Sequence, residues 1–306
     1  MNKLRTSLVY LNSKRYGLPE AEARQCAARW GKHIDTLFDQ AAADKVAAEC
    51  GMRTVGFPDV PPVGTLYVTA HFSAYTLVSI ALSRHYDRTI YIVVGTPPAE
   101  FEQTIVDSVT RAGARAVIIR SNFSMLKNIR NAIDEGSLVV SLIDVPWHRL
   151  KIPTRDYSRF DFGAGQIGAS KSIFSMAERL GLKTCFVLCE PGDGEFNIVH
   201  YGEMDQARCF ETLAEAVARH PDHFERFCEL HAYYGGGRQT DDIATFTLGD
   251  NRYCVRAWDY KSWKLSKSVS EAIETALRAD EREATGLIRS ELQRLTGRAH
   301  EQIVYF

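Results

Sequence analysis

Gly64-Thr-Leu-Tyr-Val-Thr-Ala70-His71 is a short apolar run that ends on a histidine. Four similar runs follow along the chain, and each also ends on a polar residue. Parallel sheets bring the carboxyl ends of their strands to one edge, where α/β proteins place their chemistry. His71 is therefore a candidate general base, because imidazole accepts and donates protons near neutral pH.

Apolar strand patterns alternate with helical patterns from residue 65 onward. The strand patterns cover 65–70, 89–95, 115–120, 138–144 and 184–190. The helical patterns between them cover 73–85, 100–112, 123–135 and 166–180. Runs that are apolar almost throughout are typical of strands buried on both faces by crossover helices. The order predicts an α/β fold with a central, mostly parallel sheet flanked by helices.

Each of the five predicted strands is followed by a polar residue, namely His71, Thr96, Ser121, Asp144 and Glu190. Right-handed crossovers would place all five at one edge of the sheet. A single polar residue at a strand end also has a plain structural explanation, since the chain leaves the core there. Only the set of five indicates a cleft.

The two ends of the chain lie outside this alternation. Residues 1–50 show helical patterns and 51–62 predict a loop, so residues 1–62 form a helical lead-in to a domain that covers 1–235. The triglycine in Ala232–Gly237 predicts a linker. Residues 236–306 then predict a small module, with a hairpin turn at 249–251 and a helix that begins near Ser268. Whether this module docks a carrier protein, a second subunit or the main domain stays open.

Composition and charge exclude several functional classes. The 306 residues are 45% hydrophobic and carry a net charge of −1, which disfavours a nucleic-acid surface. Seven scattered cysteines fit neither a disulfide framework nor zinc-ligand spacing, so we expect no metal site and a reducing compartment. The sequence shows neither a secretory signal nor a run of about 20 apolar residues. We expect a cytoplasmic protein, at most peripheral at the inner membrane surface.

The segment from Leu66 to Thr76, Leu-Tyr-Val-Thr-Ala-His-Phe-Ser-Ala-Tyr-Thr, resembles the first motif of a known family. The family is the lysophospholipid acyltransferase superfamily, in its lipid A biosynthesis (lauroyl/myristoyl) branch, where a strand ends in Gly-His-Phe-Gly-Asn-Trp-Glu. Further segments resemble the family in the same order and extend the resemblance over residues 1–235: Arg111–Gly113, Leu126–Gly136, Val139–Asp144, Phe160–Gly163 and His220–Phe224.

The resemblance implies acyl transfer from a thioester, either acyl carrier protein or coenzyme A, to a hydroxyl or amine. His71 would be the general base, and the thioester would be a co-substrate with no bound cofactor. The degenerate motif and the absence of a membrane anchor favour a diffusible small-molecule acceptor. The glycine-rich run from Gly163 would close over the thioester, and Tyr75, Phe123, Phe160 and Phe162 would line an acyl groove. The candidate substrate-binding residues are Ser73, Tyr75, Thr76, Ser121, Phe162 and Gly163.

One departure from the family bears directly on the chemistry. Thr76 stands where the family has the carboxylate that orients the histidine, and a hydroxyl cannot stabilise an imidazolium with a full charge. Three explanations follow. Another carboxylate, Asp144 first and Glu190 second, orients His71. Alternatively, the acceptor is an amine that needs a weaker base. In the third, the protein is a catalytically silent relative that keeps the cleft as a ligand or carrier-protein site.

Overall fold

The computed structural model describes residues 2–34, 36–38, 43–95, 99–145, 157–230, 243–248, 250–256, 261–278, 286–296 and 303–305. The chain divides into two compact units. The sheet unit comprises residues 33–161 and 168–225, and the terminal unit comprises 1–32, 162–167 and 226–306.

The helices, in chain order, are α1 (Asn2–Tyr16), α2 (Glu20–His33), α3 (Ala43–Glu49), α4 (Thr76–Tyr86), α5 (Ala99–Arg111), α6 (Met125–Asp134), α7 (Ser172–Arg179), α8 (Gln206–Arg219), α9 (Lys267–Arg278) and α10 (Gly286–Thr296). The strands are β1 (Met52–Val55), β2 (Thr65–Thr69), β3 (Ile90–Val94), β4 (Ala116–Arg120), β5 (Leu138–Leu142), β6 (Tyr157–Phe162), β7 (Gly165–Ser170), β8 (Lys183–Pro191), β9 (Phe196–Glu203), β10 (Ile243–Leu248), β11 (Asn251–Arg256), β12 (Ser262–Lys264) and β13 (Ile303–Tyr305). Two short 3₁₀ helices, Pro221–His223 and Glu225–Glu229, follow α8.

The sheet unit is built on a seven-stranded sheet in the order β1-β9-β8-β2-β5-β3-β4. Neighbouring strands are parallel except for the antiparallel pair β8 and β9. Strand β2 lies at the middle, and all five of its residues are buried. The predicted α/β class with a mostly parallel central sheet is therefore confirmed, and the carboxyl end of β2, which leads to His71, lies at the centre of the sheet.

All five predicted strands form, within one or two residues of the expected bounds. Strands β1 and β9 were not predicted. β1 falls in the expected loop 51–62 and exposes three of its four residues, so no apolar run marks it. β9 also lacks a continuous apolar run, because several of its residues are half-buried and some of these, such as Asn197 and His200, are polar.

The predicted helix over 166–180 is wrong in its first half. Residues Gly165–Ser170 form strand β7, which pairs with β6 in a two-stranded sheet, and the helix α7 begins only at Ser172. Glycine is a poor helix former, and Gly163 adopts a φ of +60°, which turns the chain between the two strands.

The terminal unit contains a four-stranded sheet in the order β12-β11-β10-β13. β10 and β11 form the predicted antiparallel hairpin, and α9 begins at Lys267, beside the expected start. Its core joins the hairpin to both C-terminal helices through Ile243, Cys254, Val269, Ile273, Ile288 and Leu292.

The first 32 residues belong to this terminal unit, and the sequence did not indicate that. Helix α1 lies against β10, and the Asn12 side chain donates a hydrogen bond to the carbonyl of Phe227 at 2.7 Å. The expected lead-in of residues 1–62 is thus divided between the units after Lys32. The expected linker and the boundary at 235/236 lie outside the described residues. Across the described helices, none combines the length and apolar character that crossing a bilayer requires.

Candidate functional site

His71 and Asp144 form the centre of the candidate site in the sheet unit. Asp144 Oδ1 lies 2.8 Å from His71 Nδ1, and Asp144 Oδ2 accepts a hydrogen bond from the His71 backbone N–H at 2.9 Å. With Asp144 ionised, Nδ1 carries the hydrogen that faces the carboxylate, so Nε2 is the nitrogen left to accept a proton. The carboxylate thereby orients the ring.

The sheet register explains why these two residues meet. Thr69 of β2 lies beside Leu142 of β5 in the parallel ladder, and the Ile143 N–H donates to the Thr69 carbonyl at 2.9 Å. His71 and Asp144 each follow two residues after these partners. Adjacent strands are about 4.8 Å apart, so side chains at equal offsets beyond the strand ends come within hydrogen-bond reach.

The segment after His71 is held in a strained conformation. Ser73 has a φ of +55°, which is uncommon for a residue with a side chain. Its N–H donates to the His223 carbonyl at 2.6 Å, and the Glu225 N–H donates to the His71 carbonyl at 2.9 Å. Phe72 and Phe224 form an antiparallel bridge between these two hydrogen bonds. Residues 71–73 are therefore fixed by pairing with residues 223–225, and this pairing offsets the strain.

Tyr75 and Thr76 follow at the start of α4. The Tyr75 ring is buried and lies edge-on to the His71 ring at 4.8 Å between centroids. The helix begins at Thr76, and its N-cap residue Tyr75 makes no side-chain capping hydrogen bond. Thr76 is partly buried, and Asp144 rather than residue 76 supplies the carboxylate beside His71.

The structure does not bring Glu190 to His71. Its carboxylate accepts a hydrogen bond from the Tyr201 hydroxyl and lies 3.3 Å from the Arg219 guanidinium. Ser121 follows the edge strand β4, three strand positions from β2, or about 14 Å across the sheet, and it is exposed. Thr96 lies outside the described residues.

Phe162 and Gly163 belong to the terminal unit. The Phe162 ring is fully buried and packs against Tyr16 with the centroids 5.7 Å apart. Gly163 lies so close to Tyr16 that an added Cβ would clash with the ring and with the Tyr16 carbonyl.

The four aromatic side chains expected to line an acyl groove have separate environments. Tyr75 is buried beside His71, whereas Phe123 is fully exposed. Phe160 stacks on Phe210 with the centroids 4.6 Å apart. A cavity of about 500 Å³ in the sheet unit contains none of the predicted site residues; its lining is Arg53, Pro191, Gly192, Asp193, Glu195 and Asn197.

The His71 side chain is buried. Only 4% of it is exposed, and the Asp144 side chain is fully buried. The candidate general base is therefore closed off from solvent. Residues 96–98 and 146–156, which follow β3 and β5 in the chain, lie outside the described residues.

A buried thiol also lies at the site. Burial raises the pKa of Cys189 to about 12, and hydrogen bonding to Ser73 and to the Ala74 backbone opposes this rise only in part. A thiol with so high a pKa is protonated at neutral pH and is a poor nucleophile. The site therefore offers imidazole base chemistry rather than a cysteine acyl-enzyme.

A second polar cluster escaped the sequence analysis. His33, Asp222 and His223 each place a potential ligand atom within 4.8 Å of the others. His33 Nε2 lies 3.1 Å from Asp222 Oδ2, although 189 residues separate the two in sequence. No local spacing signals such a cluster, because metal motifs are recognised by short separations between ligands. The only local sign is the adjacent pair Asp222 and His223.

Neither a protein-family model nor a curated protein sequence matches this chain.

Proposed function

We propose that this protein is an acyltransferase that moves an acyl group from a thioester to a hydroxyl or amine, with His71 as the general base. The observation that carries the proposal is the pair of contacts from Asp144 to the ring and the backbone of His71, at 2.8 Å and 2.9 Å. On this proposal the sheet unit is an acyltransferase-like domain. Asp144 orients His71 in place of the motif acid, whose position is occupied by Thr76.

The reaction needs one proton relay and no covalent intermediate on the protein. The acceptor O–H or N–H gives its proton to His71 Nε2 while its oxygen or nitrogen attacks the thioester carbonyl. The imidazolium is stabilised by the Asp144 carboxylate. When the tetrahedral intermediate collapses, the C–S bond breaks and the leaving thiolate takes the proton from the ring. General base catalysis of this kind contributes about 10²–10⁴-fold in rate.

The burial of His71 sets a condition on this mechanism. An acceptor reaches Nε2 only after a local opening around the ring, because 4% of the side chain is exposed in the present conformation. The Tyr75 ring, which lies edge-on to the His71 ring, is one of the contacts that would have to open. Ligand-dependent opening of such segments is common in enzymes that exclude water from their chemistry.

The same burial favours a second function. A catalytically silent binding protein has no need for an accessible base and would keep the His71 and Asp144 pair for its hydrogen bonds to the backbone. Such a protein would bind an acyl thioester or a carrier protein without consuming it. The two functions differ in one observable, which is release of the free thiol.

The test incubates the protein with acyl-CoA and acyl carrier protein thioesters of graded chain length, together with a pool of amines and alcohols. The released thiol is measured with a colorimetric thiol reagent, and the acylated product is detected by mass spectrometry. We expect release by the wild type and a loss of about 10²-fold or more in His71→Ala and Asp144→Asn.

Glu190→Gln is the matched control, since it removes a carboxylate at the same sheet edge that is bonded elsewhere, and it should retain activity within about twofold. Thiol release that survives in His71→Ala would reassign the base. Wild-type protein that binds the thioesters but releases no thiol with any donor would establish the silent binding function.

A further inference from the structure

His33, Asp222 and His223 form a compact cluster in the sheet unit. His33 is the last residue of α2, and the other two lie in the 3₁₀ helix Pro221–His223. The Asp222 side chain is 8% exposed and the His33 side chain 22% exposed, so the cluster is largely screened from bulk water. The rings of His33 and His223 lie 4.5 Å apart between centroids.

The cluster has the donor set and the spacing of a transition-metal site. Two imidazoles and one carboxylate bind Zn²⁺ at about 2.0–2.2 Å in tetrahedral geometry, which puts neighbouring ligand atoms about 3.3 Å apart. The His33 Nε2 to Asp222 Oδ2 distance of 3.1 Å is already near this value. Because all three ligand atoms lie within 4.8 Å of one another, His223 needs to move by no more than about 1.5 Å.

A further contact holds the His223 ring in place. Ser73 Oγ lies 3.2 Å from His223 Nδ1, and the Ser73 N–H donates to the His223 carbonyl at 2.6 Å. Metal-binding histidines are ordinarily oriented by such hydrogen bonds from a second group. His33 Nε2 is already held within hydrogen-bond distance of Asp222 Oδ2, so only His223 has to shift when an ion binds.

We propose that His33, Asp222 and His223 bind one divalent transition-metal ion, with Zn²⁺ as the best-fitting ion and water in the fourth position. The site joins His33 to residues 221–223, and residues 223–225 pair with the segment 71–73, which contains His71. The ion therefore stabilises the backbone that holds the candidate base. The proposal stands on the cluster alone and does not require acyl transfer.

The test measures metal binding to the full chain, with no acyl substrate present. Protein stripped with a chelator is titrated with Zn²⁺ in competition with a coloured indicator, and bound metal is counted by elemental analysis. We expect one Zn²⁺ per chain, a higher Tm with Zn²⁺, and no such effect from Mg²⁺, which prefers oxygen ligands.

The variants His33→Gln, Asp222→Asn and His223→Gln should each weaken Zn²⁺ binding by about tenfold or more. His220→Gln is the matched control, because its ring is 5.8 Å from that of His223 but it is not one of the three ligands. Its affinity should stay within about twofold of the wild type. Equal affinity in all four variants, or less than one Zn²⁺ per wild-type chain, would overturn the proposal.

Co²⁺ titration of the wild type keeps the test valid if a variant fails to fold. Tetrahedral nitrogen and oxygen ligation predicts visible d–d bands without the intense thiolate-to-cobalt charge-transfer band. A charge-transfer band would place the ion on cysteine and contradict the assignment. Since the assay contains no thioester, failure of the metal site and failure of acyl transfer are distinguished directly.

Discussion

Asp144 shows that the carboxylate partner of a histidine is defined by its place beside the ring and not by its distance along the chain. Thr76 stands where the family that the sequence resembles has an acid, yet a carboxylate that follows the neighbouring strand contacts both the ring and the backbone N–H of His71. Two contacts from one carboxylate fix the ring more firmly than one, because they restrain both the position and the tilt of the group. The sequence named Asp144 as the first candidate for this position, and the strand register explains how the two residues meet.

At the same scale, the six buried cysteines should be inert in the native protein. Burial raises the pKa of both Cys189 and Cys209 to about 12, so at pH 8 only about one thiol in 10⁴ is the reactive thiolate. We expect a disulfide reagent at pH 8 to label Cys50, which is partly exposed, far faster than any other cysteine. All seven should react in denaturant.

Peptide mapping by mass spectrometry identifies the labelled positions. Rapid native labelling of Cys189 would show that the interior beside His71 opens readily. Slow labelling would also mean that the protein's own cysteines contribute little background signal to the thiol-release assay.

At the scale of elements, the strands that were predicted and the strands that were missed differ in burial. β2 and β5 are buried on both faces, and a largely apolar run marks each of them in the sequence. β1 exposes three of its four residues, and its pairing with β9 supplies hydrogen bonds that no side-chain pattern reports. The helix predicted over 166–180 is wrong at its start because the few apolar residues near Gly165 and Gly168 fit a helical period and a strand period equally well. Glycine has no side chain that would distinguish the two.

The turn between β6 and β7 should be sensitive to a single methyl group. In Gly163→Ala the new Cβ would clash with the Tyr16 ring and carbonyl, and alanine would have to hold a φ of +60°. We expect a loss of about 2–4 kcal/mol in the free energy of unfolding, from overpacking and backbone strain together.

Gly286→Ala in the same unit is the control, since the described residues leave open space around that position and its φ is unstrained. That variant should be neutral or up to about 1 kcal/mol more stable. Denaturant titration measures both. Equal stability of the two variants would show that the Tyr16 contact is not tight.

At the scale of the whole molecule, the two units are discontinuous in sequence. The terminal unit takes residues 1–32, 162–167 and 226–306, and contacts such as that between Asn12 and Phe227 join positions 215 apart. A sequence pattern reports which face of an element is apolar, but not which distant element covers it. The expected division at residue 235 followed composition, whereas the observed division follows the packing of α1 on β10.

The stability of the fold should fall on mild acidification because of His200. Burial lowers the pKa of this residue below its ordinary value of 6.5, and His85 adds to the effect. Its ring packs against Phe57 and Tyr67, at 5.4 Å and 6.0 Å between centroids. A depressed histidine pKa means that the unfolded chain binds the proton more tightly. The contribution is therefore complete above about pH 6.5 and is lost as the pH falls through the lower folded value.

Urea unfolding of the wild type and of His200→Gln across pH 5–8 measures this effect. The variant should be less stable at pH 8, and the difference should shrink toward pH 5, because only the wild type must protonate a buried imidazole at this position. A difference that stays constant with pH would assign the loss to packing alone.

The sequence by itself determined the α/β class, five neighbouring parallel strands of the sheet, the C-terminal hairpin and the histidine that follows β2. These features follow from apolar periodicity and turn residues, which act over a few positions of the chain. The tertiary structure alone decided that Asp144 and not Glu190 contacts His71, that the ring is buried, and that His33 meets Asp222 and His223. Such meetings depend on strand order, register and packing between segments 73 to 189 residues apart, and those long-range pairings are selected by the energy of the whole core.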